Sequence, residues 1–146
     1  MVKCEELNAD MITRLIDRAI EGMSYAYTPY SGFRVGAALL TESGEIYTGC
    51  NIENAAYTPT NCAERTAFFK AVSEGERHFA AICIVGGKDG KLADYTSPCG
   101  VCRQVMMEFC ELEQFKIILA ISREEYRIYT LKELLPEGFG PARLAR

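Results

Sequence analysis

Apolar residues near the start of the sequence recur at steps of three and four, the spacing of one face of an α-helix. The repeat consists of Leu7, Met11, Ile12, Leu15, Ile16, Ala19, Ile20 and Met23. It predicts an amphipathic helix over residues 9–26. Asn8 is the expected N-cap, because an asparagine side chain can accept from the free backbone N–H groups of the first turn. Residues 28–32, Thr-Pro-Tyr-Ser-Gly, contain turn formers and are expected to end the helix.

The pattern then changes to that of extended chain. Residues 34–41 and 45–49 predict two strands around the short segment Glu42-Ser43-Gly44. The residue types of this segment suit a tight reversal, so we expect an antiparallel hairpin.

The rest of the chain alternates between helical and extended patterns after a loop over residues 51–60. A continuous apolar run at residues 80–85 is typical of a buried strand. The other predicted elements are helices at 62–73 and 100–109, strands at 116–121 and 126–129, and a short helix from Leu131. The predicted order is α-β-β-α-β-α-β-β-α.

This order predicts an α/β fold of three layers, α/β/α. Strands separated by helices usually pair in parallel through right-handed crossovers, while the hairpin adds an antiparallel edge. We therefore expect a mixed, mostly parallel sheet of five strands. The length, 146 residues, suits a single domain over residues 1–146.

Composition agrees with a globular protein, with 49% hydrophobic and 25% charged residues. The sequence contains no apolar run of about 18 residues and no secretory pattern at its N-terminus, so we expect a cytoplasmic protein without a membrane partner. Seven cysteines, an odd number, favour reduced thiols and metal binding over a disulfide framework.

The net charge of the chain indicates what kind of molecule it binds. The net charge is -4 and the isoelectric point is about 5.1. An acidic chain does not attract a phosphate backbone, whose binding depends on Lys and Arg. A small-molecule substrate is therefore favoured over nucleic acid.

Cys99 and Cys102 form a Cys-x-x-Cys pair at the start of a predicted helix. This spacing alone is equally typical of a redox dithiol, a structural zinc site and a catalytic zinc site. A structural zinc site needs a fourth protein ligand, for which the sequence offers Cys50, Cys83, Cys110 or His78, none with companion spacing. His78 lies in a polar segment and is expected at the surface without a catalytic role.

Cys62 adds a third thiol with its own context, Asn61-Cys62-Ala63-Glu64-Arg65. Three thiolates leave one vertex of a tetrahedral zinc site open to water, as catalytic sites require. Glu64 is then a candidate general acid/base, because a carboxylate beside such a water can take up and return its proton. Together the two motifs favour a catalytic zinc site.

Several segments resemble the cytidine deaminases of the small homotetrameric type, which act on free nucleosides. The resemblance covers residues 11–141 and rests on Pro29-Tyr30-Ser31-Gly32-Phe33-Arg34-Val35-Gly36-Ala37-Ala38, Asn51-Ile52-Glu53-Asn54-Ala55-Ala56-Tyr57 and Pro98-Cys99-Gly100-Val101-Cys102-Arg103-Gln104. Related zinc deaminases pair a non-ligand Glu with a Pro-Cys-x-x-Cys motif.

The resemblance implies hydrolytic deamination of cytidine and deoxycytidine to uridine and deoxyuridine, with release of ammonia, as in pyrimidine salvage. It further implies one Zn²⁺ per chain, held by Cys62, Cys99 and Cys102, and a homotetramer with sites at subunit interfaces. The alternative is a deaminase of a modified cytosine nucleoside such as blasticidin S. The pair Asn51 and Glu53 speaks against that alternative, because in the family it binds the sugar.

The resemblance also implies roles for individual residues. Glu64 carries the proton and the backbone N–H of Ala63 holds the base carbonyl. The nucleoside pocket is lined by Phe33, Asn51, Glu53 and Tyr57, and Phe139 reaches a neighbouring subunit's site. By composition alone, the three aromatic residues would be ordinary core residues.

Arg65 is expected beside the metal ligands. Three thiolates and one Zn²⁺ leave a net charge of 2 - 3 = -1, which a guanidinium would offset, and neighbours of this kind orient ligands and tune a metal. Arg103 is a weaker candidate for the same role.

Overall fold

The computed structural model describes residues 7–144. In this range the elements follow the predicted order. They are α1 (Ala9–Met23), β1 (Phe33–Thr41), β2 (Ile46–Cys50), α2 (Ala63–Ser73), β3 (Phe79–Lys88), α3 (Gly100–Phe109), β4 (Lys116–Ala120), β5 (Tyr126–Thr130) and α4 (Leu131–Leu134), followed by a 3₁₀ turn at Pro141–Leu144.

The five strands form one sheet in the order β2-β1-β3-β4-β5. The prediction of a mostly parallel sheet is wrong, because only β3 and β4 pair in parallel and the other three pairs are antiparallel. β1 pairs antiparallel to both β2 and β3 and separates them. The crossover through α2 therefore connects two strands of the same direction that do not pair.

Helices cover both faces of the sheet, which confirms the three-layer α/β fold. α1 packs against alternate strand residues on one face, where Ala38, Leu40 and Val85 are buried. α2 and α3 pack on the opposite face, against Leu39, Ile84 and others. Because successive side chains of a strand point to opposite faces, the almost entirely apolar β3 supplies both cores.

Two glycines allow close approach of the helices to the sheet. A Cβ at Gly36 of β1 would lie 2.0 Å from the carbonyl oxygen of Ala19 in α1. A Cβ at Gly49 of β2 would lie 2.3 Å from the carbonyl oxygen of Ala63 in α2. Gly49 thus fixes how closely the first turn of α2 approaches the sheet.

The ends of α1 and β3 differ from prediction for local reasons. Asn8 caps α1 as expected, with its Oδ1 accepting from the N–H of Met11 at 2.9 Å. After Met23 the chain tightens into i to i-3 hydrogen bonds up to Ala26, so the helix ends three residues early. β3 continues to Lys88 because it pairs with β1 as far as Phe33.

No helix in the described part of the chain is both long and apolar enough to cross a membrane.

Candidate metal and catalytic site

Helices α2 and α3 start with a cysteine at the N-cap position. Cys62 caps α2 and Cys99 caps α3, both with extended backbone. The Sγ of Cys99 also accepts from the N–H of Cys102 at 3.5 Å. The positive ends of the two helix dipoles therefore favour negative charge on both sulfurs, as predicted from sequence.

The three sulfurs meet at one point. Cys99 Sγ lies 3.6 Å from Cys62 Sγ and 3.6 Å from Cys102 Sγ, and all three lie within 4.8 Å of one another. Tetrahedral zinc with Zn–S bonds of about 2.3 Å requires sulfur–sulfur distances of about 3.8 Å. The donor set therefore fits a Zn²⁺ ion with one vertex left for a non-protein ligand.

Arg65 lies against this thiol cluster, where sequence placed it. Its Nη2 donates to Cys62 Sγ at 3.3 Å. Hydrogen bonds from Cys102 and from Arg65 lower the pKa of Cys62 to about 5, while donation to Cys62 raises the pKa of Cys102. Within residues 7–144, the buried Nε of Arg65 has no hydrogen-bond partner. A cation next to three sulfurs offsets the charge that the thiolates would carry.

Glu64 is the one charged residue that is buried in the part of the chain that the structure describes, with 3% of its surface exposed. It occupies the first turn of α2, immediately after Ala63 and beside the sulfurs. Burial raises the pKa of Glu64 to about 7. A carboxyl group of this pKa exchanges its proton readily at neutral pH, which suits a general acid/base.

Ala63 is fully buried and is the first residue of α2. The N–H groups at the start of a helix have no intrahelical acceptor. The backbone N–H of Ala63 is therefore suited to donate to a ligand bound beside Glu64.

Asn51 directly follows β2, and its side chain forms hydrogen bonds with the backbone of β1. Its Oδ1 accepts from the N–H of Val35 at 2.9 Å, and its Nδ2 donates to the carbonyl of Phe33 at 2.8 Å. An amide group has two N–H donors, so one remains after the bond to Phe33.

Glu53 fastens the 51–60 loop to the turn before β1. Its Oε1 accepts from the N–H groups of Tyr30 at 3.0 Å and Ser31 at 3.1 Å, and its Oε2 accepts from the Ser31 hydroxyl. The hydrogen bond from the Ser31 hydroxyl holds the pKa of Glu53 below its ordinary range. A carboxylate has about four lone-pair sites, so one remains.

The three predicted pocket aromatics are exposed rather than packed in the core. Phe33 is 40%, Tyr57 73% and Phe139 59% exposed. Tyr57 has a φ of 63° and meets the ring of Tyr30 edge to face, with centroids 6.3 Å apart. The carbonyl of Phe139 accepts from Gln104 of α3 at 2.8 Å.

Two other predictions can be judged from the contacts. His78 is exposed, as predicted. The described hydrogen bonds of Arg103 go to backbone carbonyls and not to the sulfurs. It donates to the carbonyls of Pro98 and Leu134, and so connects the start of α3 to α4. It therefore holds the Cys99 loop rather than the metal ligands.

Cys83 is fully buried in the α1-facing core, and burial raises the pKa of its thiol. It is a core residue, as free cysteines often are. Cys50 and Cys110 are half-buried, and Cys4 lies outside the described residues. Among the described residues, one group of cysteine, histidine or acidic side chains is close enough together to bind a metal ion. It consists of Cys62, Cys99 and Cys102.

Sequence reasoning gave Ser31 and Lys88 no role, although Ser31 lies in one of the quoted motifs. In the structure, the Ser31 hydroxyl donates to Glu53, and Lys88 donates to the backbone carbonyl of Ser31. The signal available in the sequence was the glycine after Ser31, which has a φ of +68°. Such a residue marks a turn of fixed shape.

Comparisons with known proteins agree with this geometry. The family model described as the cytidine and deoxycytidylate deaminase zinc-binding region matches residues 10–118. The chain is 49% identical over 128 residues to a cytidine deaminase of Sporosarcina psychrophila, covering 88% of this chain and 90% of that protein. It is 48% identical over 125 residues to a cytidine deaminase of Halalkalibacterium halodurans, covering 86% and 91%.

A solved structure is similar over nearly the whole fold. The crystal structure of cytidine deaminase from Burkholderia pseudomallei superimposes with a TM-score of 0.79 at 43% identity, covering 86% of this chain and 97% of that chain.

Proposed function

This chain belongs to the cytidine deaminase family, and from that premise we propose which residues perform the reaction and how the site is completed. The predicted activity, deamination of cytidine with a zinc-binding triad of Cys62, Cys99 and Cys102, is confirmed. The observation that carries the residue assignment is the buried carboxyl group of Glu64 beside three convergent sulfurs.

Glu64 is the proton carrier. A Zn²⁺ ion held by Cys62, Cys99 and Cys102 would lower the pKa of a water molecule toward about 7, and so would supply a nucleophile at neutral pH. Glu64 takes a proton from this water and gives it to the ring nitrogen next to the amino-bearing carbon, which becomes more electrophilic. The water oxygen bonds to that carbon, and Glu64 then carries the second proton, from the added hydroxyl group, to the amino group. The carbon–nitrogen bond breaks, ammonia leaves, and the oxygen remains as the carbonyl of the uracil base.

Backbone groups distinguish cytosine from uracil. The free N–H of Ala63 donates to the base carbonyl, and backbone carbonyls near Ser97 accept from the amino group. The buried position of Ala63 supports this role, because a hydrogen bond formed away from water discriminates strongly between substrates.

Asn51 and Glu53 bind the sugar. Each has one hydrogen-bonding position left after its contacts within the chain, a donor on Asn51 and a lone pair on Glu53. A hydroxyl group both accepts and donates, so a single sugar hydroxyl can satisfy both. Deoxycytidine is therefore also a proposed substrate.

Arg65 keeps the thiolate cluster electrically balanced and orients Cys62. The contact of its Nη2 with the sulfur supports this role. Loss of groups that orient metal ligands typically costs 10- to 100-fold in metal affinity.

The enzyme assembles as a homotetramer with active sites at subunit interfaces. Pockets for small molecules usually enclose most of the ligand surface, whereas the rings of Phe33, Tyr57 and Phe139 are largely exposed in one chain. Exposed aromatic rings support a contact with another subunit, because aromatic residues are enriched at protein–protein interfaces. Phe139 of one subunit would then cover the site of another.

We also propose that the chain is a single domain, because the two cores of residues 7–144 share one sheet. Three reduced thiols support the further proposal that the enzyme is cytoplasmic, because thiols are kept reduced in that compartment.

The first test is zinc content together with turnover in one sample. We expect one zinc per chain and a decrease in ultraviolet absorbance on addition of cytidine. Cytosine, which lacks the sugar, should react poorly, and blasticidin S should react more slowly than cytidine. Faster reaction of blasticidin S than of cytidine would contradict the assignment of Asn51 and Glu53.

A further inference from the structure

The hydroxyl of Ser31 joins two loops at the edge of the site. It donates to Oε2 of Glu53 and accepts from the N–H of Phe33 at 2.9 Å. Oε1 of Glu53 is held separately, by the N–H groups of Tyr30 and Ser31. The two carboxylate oxygens thus have different partners, and only Oε2 depends on a side chain.

The backbone around Ser31 is fixed from the opposite side by the end of β3. Lys88 Nζ donates to the carbonyl of Ser31, and the N–H of Asp89 donates to the carbonyl of Gly32 at 2.7 Å. Gly32 has a φ of +68°, a backbone conformation that other residues rarely adopt, so the turn also has a fixed backbone shape. The hydroxyl itself supplies one contact within the turn, the bond from the N–H of Phe33. The contacts from Lys88 and Asp89 do not involve the hydroxyl, and they should keep the turn in shape without it.

The 51–60 loop is attached to the same region by its backbone. The N–H of Glu53 donates to the carbonyl of Tyr27 at 2.9 Å, and Ile52 bridges to Tyr27 and Asn61. The main chain of Glu53 is therefore placed independently of its side chain. What the Ser31 hydroxyl adds is the orientation of the carboxylate.

We propose that Ser31 is a positioning residue for sugar recognition, because its hydroxyl orients the Glu53 carboxylate so that one lone pair faces the nucleoside. This inference rests on the proposed function, in which Glu53 accepts from a sugar hydroxyl. Ser31 does not touch the substrate. A carboxylate held at both oxygens needs no reorganisation on binding, which lowers the cost of the contact. The lowered pKa of Glu53, due first to Ser31, agrees with an ionised acceptor.

The test compares Ser31→Ala with the parent enzyme on cytidine and on 2′,3′-dideoxycytidine, which lacks both ring hydroxyls. Ser31→Ala should raise KM for cytidine roughly tenfold, the scale of one hydrogen bond to a charged group, and change kcat little. The kcat/KM for dideoxycytidine should stay the same. The preference for cytidine over dideoxycytidine should therefore fall by the same tenfold.

Two variants serve as controls. Ser31→Thr keeps the hydroxyl and should restore the preference. Ser43→Ala removes a hydroxyl from the β1–β2 turn, where it contacts Thr41, and should leave both substrates unaffected. An equal loss on cytidine and dideoxycytidine in Ser31→Ala would show a merely structural role and overturn the inference.

Glu53→Gln separates this inference from the proposed function. We expect Glu53→Gln to lose the preference, and the double variant with Ser31→Ala to lose no more. If Glu53→Gln loses the preference and Ser31→Ala keeps it, the inference about Ser31 is wrong while the sugar contact stands. If Glu53→Gln keeps the preference, the sugar contact is wrong and the inference falls with it.

Discussion

Glu64 combines two properties that individual residues seldom share, near-complete burial and an ionisable side chain. Burial raises the pKa of the Glu64 carboxyl group even though the nearby charge of Arg65 lowers it, and buried ionisable groups of this kind cluster at active sites. The residue therefore keeps a proton available at neutral pH while remaining close enough to the sulfurs to act on a molecule bound there.

Glu64→Gln should retain the fold and one zinc per chain but lose turnover by roughly 10²- to 10⁴-fold, the usual contribution of general acid–base catalysis. The physical reason is that the amide has the same shape but cannot carry the proton. Steady-state kinetics with cytidine, alongside zinc analysis, measures both properties. Glu124→Gln, a change at an exposed carboxylate, is the control and should remain fully active. Full activity of Glu64→Gln would contradict the mechanism.

Cys102→Ala should lose stoichiometric zinc, because two thiolates cannot replace a three-thiolate site. The matched control is Cys83→Ala, which removes a buried cysteine from the core facing α1 and should keep its zinc. The measurement is the zinc content per chain of both purified proteins. A Cys102→Ala protein with one zinc per chain would show that the ligand assignment is wrong.

At the scale of elements, the site depends on where α2 and α3 begin. Both helices start at a cysteine in the N-cap position, so the residues that end the two loops supply two of the three ligands, and Cys102 in the first turn of α3 supplies the third. The position of α2 depends in turn on Gly49, beneath its first turn. A small change in β2 can therefore displace Cys62 and Glu64.

Gly49→Ala should lower both thermal stability and kcat/KM. The added methyl group overlaps the carbonyl of Ala63 and must push α2 outward, at a cost of roughly 1–3 kcal/mol in the free energy of unfolding. Glu64 moves with the helix, and misplacement by about 1 Å can cost on the order of 100-fold in rate.

Gly36→Ala is the matched comparison, because its methyl group would press on α1, which carries no predicted site residue. We expect a similar loss of stability, measured by thermal unfolding, with a much smaller loss of kcat/KM per folded molecule. Equal losses of kcat/KM in the two variants would contradict the role of Gly49 in placing α2.

The elements could be predicted from sequence more fully than their pairing. Helical and strand periods are local, so α3 was predicted with both ends correct. Strand pairing is not local. Nothing in the pattern of β1 shows that it lies between β2 and β3, and a connecting helix favoured parallel neighbours. The contacts of Glu53 with the turn at Ser31 were missed for the same reason, since they join residues 22 positions apart.

At the scale of the whole molecule, one chain provides the thiols, Glu64 and the pair proposed to bind the sugar. The rings of Phe33, Tyr57 and Phe139, predicted to line the pocket, remain exposed in one chain. Phe139 lies in the C-terminal segment, held to α3 through Gln104. If its ring closes the site of a neighbouring subunit, a variant defective in Phe139 and one defective in Glu64 should complement each other. In a mixed assembly, some sites would combine an intact Glu64 from one variant with an intact Phe139 from the other, and these sites would be active.

Phe139→Ala alone should lower kcat/KM roughly ten- to a hundredfold, because a buried aromatic contact with the substrate is lost. Refolding it together with Glu64→Gln should restore activity to roughly a quarter of that of the parent enzyme, the fraction of sites that receive both intact residues when subunits mix at random. Light scattering after gel filtration should give the mass of four chains. Activity of the mixture equal to the average of the two separate variants would show that Phe139 acts within its own chain, and a monomeric mass would rule out the interface site altogether.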